Sequence, residues 1–152
     1  MIRPKWTAVI LLMSLGLTWG CSSQDTKEIR LGVNAELTGS KPAVGDSCQK
    51  AAALLAAQVN QAGGLKVGDQ QFPIKLIVED NEDKAESAAA AAQKLISQNN
   101  VLAIVGPNAS GNAIPAARIC EDAVVIMISP WSTNPKTTEG KKFVFRACFI
   151  DD

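Results

Sequence analysis

The chain has 152 residues, with 15 Lys and Arg against 15 Asp and Glu, so its formal charge is zero and no strong field points to nucleic acid or acidic substrates. It contains no histidine and no tyrosine, which removes the commonest general base and the commonest zinc ligand. That length suits one ordinary domain with a real core.

Arg3 and Lys5 precede an apolar run from Ala8 to Leu17. The run is too short for a spanning helix, so residues 1–20 read as a secretory signal peptide. The closing "LTWGC" resembles the lipobox of bacterial lipoproteins, in which cleavage before a cysteine exposes its thiol for acylation. Gly20 and Cys21 fit that pattern, whereas Thr18 and Trp19 depart from its usual Leu and Ala/Ser. The resemblance implies lipidation of Cys21 and attachment to a membrane; the alternative is ordinary secretion with Cys21 incidental. Cleavage would remove Arg3 and Lys5 and no acidic residue, leaving a net charge of −2, and residues 21–28 would form a polar tether.

Strand-like and helix-like runs then alternate. "IRLGVNAEL" reads as a first strand and "GDSCQKAAALLAAQVNQAGG" as a helix ended by Gly63 and Gly64. Cys48, Ala51, Ala52, Leu55, Val59 and Ala62 share helical spacing and are expected to face a sheet. "LKVGDQQFPIKLIVED" offers a turn at Gly68-Asp69 and a second strand from Phe72 to Glu79. Asp83 with Glu86 forms a capping-box pattern, followed by a buried stripe of Ala88, Ala91, Ala92, Leu95 and Ile96. "VLAIVG" reads as a central strand covered on both faces. The third helix runs from about Gly111 to Asp122, and Pro115 requires its start to lie between Ser110 and Asn112 so that the ring falls in the first turn. "AVVIMIS" is expected as a fourth buried strand and "KKFVFRACF" as a last, more exposed one. This alternation predicts an α/β fold: an open, mostly parallel sheet flanked by helices, which binds ligands beyond the carboxyl ends of its strands.

With Cys21 assigned to lipid, Cys48, Cys120 and Cys148 remain, allowing at most one disulfide. No metal spacing is present, and neither metal nor cofactor is expected. Cys48 and Cys120 sit among apolar neighbours and read as buried free thiols acting as small hydrophobes.

Two polar junctions follow buried strands: "GPNASGN", containing Asn108 and Ser110, and "SPWSTNP", containing Ser129, Trp131, Ser132 and Thr133. In a parallel sheet both open on one edge. Ser110 stands at a helix mouth whose free N–H groups attract an anion, and the second loop offers hydroxyls and unpaired strand-end carbonyls. Donors on one loop and acceptors on the next suit a small zwitterion, its carboxylate at Ser110 and its ammonium at a carbonyl near Trp131 and the Thr133 hydroxyl. The plainer reading is that Ser110 caps its helix and Thr133 stabilises a turn.

The ordered series "GVNAELTGSKPAVGDS", "QVNQAGGL", "IKLIVEDNEDKAESAAAAAQKLI", "AIVGPNASGNAIPAA", "MISPWSTNP" and "FVFRACFIDD" resembles the periplasmic substrate-binding proteins of branched-chain amino acid ABC importers, over about Ile29 to Asp152. The resemblance implies a type I periplasmic-binding fold. It also implies that Ser110 and Thr133 hold an amino acid's carboxylate, that the Trp131 carbonyl takes its ammonium, and that the loop with Val44 touches its side chain. Asn108 and Ser132, beside these, join the candidate ligand-binding set. Trp131 replaces the small residue common there, which leaves the substrate side chain open. Glu82 and Ala109 stand near positions where some members carry a bridging disulfide.

Family members run to more than twice this length, with a second lobe that closes over the ligand. Residues 29–152 therefore read as the N-terminal ligand-binding lobe alone, either a truncated relative or a fragment. Half a cleft implies amino acid binding at about millimolar strength or weaker, about 4 kcal/mol or less. It also implies open apolar surface inviting self-association. The expected role is the extracytoplasmic binding component of an amino acid importer, partnered by its permease, in the periplasm and anchored by lipid. The rival is a sensing ectodomain for amino acids or amides. Catalysis is not expected, because neither a nucleophile–base pair nor a phosphate-binding loop is present.

Overall fold

A computed structural model describes residues 27–151; the signal, Cys21 and most of the tether lie outside the described residues. Strand β1 (Ile29–Ala35) leads to helix α1 (Pro42–Gln61). A small hairpin of β2 (Leu65–Val67) and β3 (Gln70–Phe72) precedes β4 (Ile74–Asp80), α2 (Ala85–Ser97) and β5 (Ala103–Val105). Then come α3 (Ser110–Asp122), β6 (Ile126–Ser129), a 3-10 turn (Pro135–Thr137) and β7 (Val144–Arg146). The main sheet has the order β4-β1-β5-β6-β7, and every pair in it is parallel. The strand order reverses between β1 and β5, with β4 added on one side of β1 and β5 to β7 on the other, which makes their carboxyl ends the switch point where such sheets bind ligands.

Alternate residues of the central strands point to opposite faces. One face carries Ile104, Met127 and Val144 against α2 and α3, whose Ala92, Leu95, Ala113, Ala116, Ala117 and Cys120 complete the core. The alanines let the two helices lie close to each other and to the sheet. Gly32 adds to this, since a Cβ there would stand 3.0 Å from a Leu95 methyl. On the other face α1 covers β1 and β4.

Several expectations are corrected. Helix α1 begins at Pro42, earlier than "GDS" suggested, because proline at the first helical position loses no bond. Its inward stripe is Gly45, Cys48, Ala52, Ala56 and Val59, whereas Ala51 and Ala62 are exposed and Leu55 is 62% exposed. Pro73 splits the expected second strand, so that Gln70–Phe72 pairs back on Leu65–Val67 and β4 starts afterwards. Asp83 does not cap α2: Lys84 holds the cap position without a side-chain bond, and Asp83 turns to Ser40, Lys41 and Asn112. Pro115 lies in the second turn of α3, and the carbonyl it leaves unpaired belongs to exposed Gly111. Strand β6 is buried on one face only, with Ile126 and Ile128 outward, because α1 does not reach over it.

Candidate functional site

Three loops meet beyond the carboxyl ends of β1, β5 and β6. Each is held by polar groups that the strands deliver. At the end of β1 the carboxylate of Glu36, fully buried, accepts from the Asn108 amide (3.1 Å) and side chain (2.8 Å), the Ala109 amide (3.1 Å) and the Asn112 side chain (3.2 Å). The junction after β5 is thus wrapped around an acid supplied by β1. Gly106 permits the close approach: its φ is +91°, and a Cβ would fall 2.1 Å from the Asn34 carbonyl oxygen. Gly45 serves α1 similarly, where a Cβ would fall 2.2 Å from the Glu36 carbonyl oxygen.

The loop after β1 is fixed from the other side. Asp80 accepts from the Leu37 amide (3.0 Å), the Thr38 amide (3.1 Å), the Thr38 hydroxyl (2.6 Å) and the Glu82 amide (2.8 Å). Burial pushes the Asp80 carboxyl up, but those hydrogen bonds together outweigh it and hold it below the usual carboxylate value. Asp83 is held low chiefly by the Ser40 hydroxyl, with Asn112 and Lys41 adding to the effect against burial.

On the β6 loop, the Ser129 hydroxyl donates to the Pro107 carbonyl and accepts from the Ser132 amide. The Ser132 hydroxyl donates to Ser110 Oγ (3.1 Å) and lies 2.6 Å from Thr137 Oγ1. A hydroxyl carries one proton, so Thr137 is the donor in that second bond. Ser110 Oγ also accepts from the Asn134 amide (3.4 Å), which leaves its own proton free to donate outward. The Ser110 and Gly111 amides, in the first turn of α3, have no acceptor among the described residues. The Trp131 carbonyl has no donor there either. Thr133 donates its hydroxyl proton to Asp151, and its carbonyl accepts from the Asp151 amide and Arg146, each at 3.1 Å.

Beside this rim lies an open groove of about 540 Å³, lined by Ala43, Val44, Ser47, Cys48, Asn108, Pro130 and Trp131. Of the residues expected from sequence, Val44, Asn108 and Trp131 line it, and Trp131 is 53% exposed. Ser110 and Thr133 stand on the same rim, joined through Ser132 and Asn134. Ser132 itself is fully buried, with its hydroxyl committed to Ser110 and Thr137. Cys48 is half-buried at the groove wall; burial above all, with the charge of Glu36 added, pushes its thiol up against the pull of Asn108. Cys120 is fully buried, as expected. The sequence reading missed Glu36 and Cys48 as site groups. An acid at the carboxyl end of a buried parallel strand was the available signal for Glu36.

Residues 28–149 match the family described as periplasmic binding protein. The chain is 33% identical over 144 residues to an amino acid binding protein of Pseudomonas aeruginosa, covering 94% of this chain and 37% of that one. It is 30% identical over 140 residues to Leu/Ile/Val-binding protein homolog 3 of Brucella melitensis, covering 91% and 37%. Among solved structures, the branched-chain amino acid transporter substrate binding protein LivJ of Streptococcus pneumoniae, in complex with isoleucine, matches with a TM-score of 0.76 at 34% identity, over 82% of this chain and 34% of that one. This chain spans little more than a third of the length of the relatives it matches. With a parallel sheet, its switch-point groove and this match in agreement, the chain belongs to the periplasmic binding protein family.

Proposed function

We propose that this chain carries an amino acid binding half-site of an extracytoplasmic solute-binding component serving an ABC importer of the branched-chain type. The ligand carboxylate lies on the Ser110 hydroxyl and the Ser110 and Gly111 amides. Its ammonium meets the Trp131 carbonyl and the lone pairs of Thr133 Oγ1, whose proton is already spent on Asp151. The side chain lies over Val44, Cys48 and the Trp131 ring, an uncharged surface suited to an aliphatic group. The observation that carries this reading is the free donor set at Ser110 beside free acceptors at Trp131 and Thr133, on one rim with an uncharged groove adjoining. Asn108 forms the groove floor, and Ser132 supports Ser110 from behind.

The amino acid and branched-chain names of the relatives support the ligand class, and the permease is the partner that class implies. The family implies a location outside the cytoplasm. Lipidation at Cys21 would hold the domain at a membrane surface. Ligand-observed NMR on the full chain with leucine, valine, glutamate and a polar amide tests the reading. Saturable leucine and valine binding that Ser110→Ala weakens is expected; no binding up to tens of millimolar overturns it.

A further inference from the structure

Glu36 is an unusual residue to place under a binding groove. Its carboxylate is fully enclosed and receives four donors, all of them neutral amides, and no Lys or Arg pairs with it among the described residues. Neutral donors stabilise a buried charge without cancelling it. Asn108 separates that carboxylate from the groove, receiving its charge on one side and forming the floor on the other. Cys48, which lines the groove with Asn108, feels the field as well, since Glu36 adds to the upward push that burial gives its thiol.

Nothing in the lining offsets this charge, for none of the seven lining residues is a Lys, Arg, Asp or Glu. Lys41 is committed to Asp83 at 3.2 Å, and Asp83 shares the Asn112 amide with Glu36, so the base gains a second carboxylate with its one cation. Arg146, at the end of β7, is committed to the carbonyls of Thr133 and Asn134 and is not among the lining residues. A carboxylate side chain entering the groove would therefore meet uncompensated negative charge through low-dielectric walls, while a neutral side chain of equal shape would not.

We infer that Glu36 is a specificity-determining residue of this groove, which excludes ligands with anionic side chains by the charge it holds beneath Asn108. This rests on the amino acid reading of the site. Leucine, asparagine and aspartate share one side-chain branching pattern, and the last two differ essentially in charge, so they serve as probes. Competition against leucine on the full chain at pH 7 measures the asparagine-to-aspartate preference. The wild-type chain is expected to favour asparagine by about tenfold or more, and Glu36→Gln to bring the two within about threefold. A merely structural role would weaken both ligands alike and leave the ratio standing. If Glu36→Gln does not fold, Glu36→Met, neutral and of similar length, replaces it. A wild-type ratio near one, or a ratio unchanged in the folded variant, overturns the inference; failure of leucine itself to bind overturns the site reading beneath it.

Discussion

The Ser132 hydroxyl donates to the Ser110 hydroxyl across 3.1 Å, joining the loop after β6 to the first turn of α3. One member of the pair is fully buried and the other half-buried, so the two serines take different parts. Ser132 fixes the geometry, and Ser110 presents it.

That division predicts opposite mutational signatures. Ser110→Ala removes the donor proposed to hold the ligand carboxylate and is expected to weaken amino acid binding by about tenfold while changing stability by less than ~1 kcal/mol. Ser132→Ala leaves the buried Thr137 hydroxyl without its partner and is expected to cost about 1–2 kcal/mol of stability, with a smaller loss of affinity. Urea midpoints and NMR titrations on both variants separate the two effects. Equal effects on both measurements in both variants would contradict the assignment.

Acid should loosen the same loops. Asp80 and Asp83 hold the segment from Leu37 to Lys41, Glu121 accepts from the Lys142 and Phe143 amides beside β7, and all three carboxyls lie below their ordinary values in the folded state. A lowered folded pKa means that the stabilisation is complete above the unfolded value, about 4 for these acids, and is lost as pH falls through the lowered ones. The urea midpoint should thus hold steady from pH 7 to 5 and drop between about pH 4 and 2. Asp83→Asn should lower stability by ~1–2 kcal/mol near neutrality and flatten the acid slope. An acid slope unchanged by that substitution would remove Asp83 from the explanation.

Much of the fold was legible because burial leaves a period in the sequence. Ala88, Ala91, Ala92 and Leu95 announced the inward face of α2, and the junctions at Gly106 and Ser129 marked the edge of the sheet where the groove lies. What could not be read depends on partners remote in the chain. The place of Glu36 at a strand's carboxyl end marks it, but its burial follows only from Asn108, Ala109 and Asn112, more than 70 residues later, which close around it. Asp83 matches a cap locally, yet its better partners are Ser40 and Asn112. The outward position of Leu55 and Ile128 was hidden as well, since an apolar run does not tell which neighbours cover it.

Two glycines in the same junction should respond differently. Gly106→Ala forces a side chain into a positive φ and against the Asn34 carbonyl, and is expected to cost more than about 2 kcal/mol. At Gly111 a Cβ would meet nothing within 4 Å, so Gly111→Ala should be neutral or add up to about 1 kcal/mol through helix propensity. Thermal melts decide, and comparable losses at both sites would contradict the difference in packing.

Thiol chemistry offers a map of the same architecture. Burial raises the Cys120 pKa to about 12, so its thiolate is scarce at neutral pH and its sulfur inaccessible. Maleimide labelling at pH 7.5 followed by peptide mass spectrometry should leave Cys120 unmodified in the native chain and modified after urea. Cys48, raised less but facing the groove, should label slowly, and more slowly still with saturating leucine. Rapid native labelling of Cys120 would contradict its place between α3 and the sheet.

The uncovered half of the sheet makes the last expectation. Ile126, Ile128 and Phe145 point away from α3 and are 43%, 39% and 49% exposed, whereas Met127, between the two isoleucines, is fully buried. Neighbouring apolar side chains left in water favour association with a like surface, so sedimentation should show concentration-dependent self-association. Ile128→Thr should reduce it with a stability change of less than about 1 kcal/mol, because that side chain is already wet. Met127→Thr, one residue away, should instead cost about 2–4 kcal/mol by opening a cavity and burying a hydroxyl. If both substitutions act alike on stability, the two faces of β6 do not differ in the way the alternation requires, and the open face cannot be the source of association.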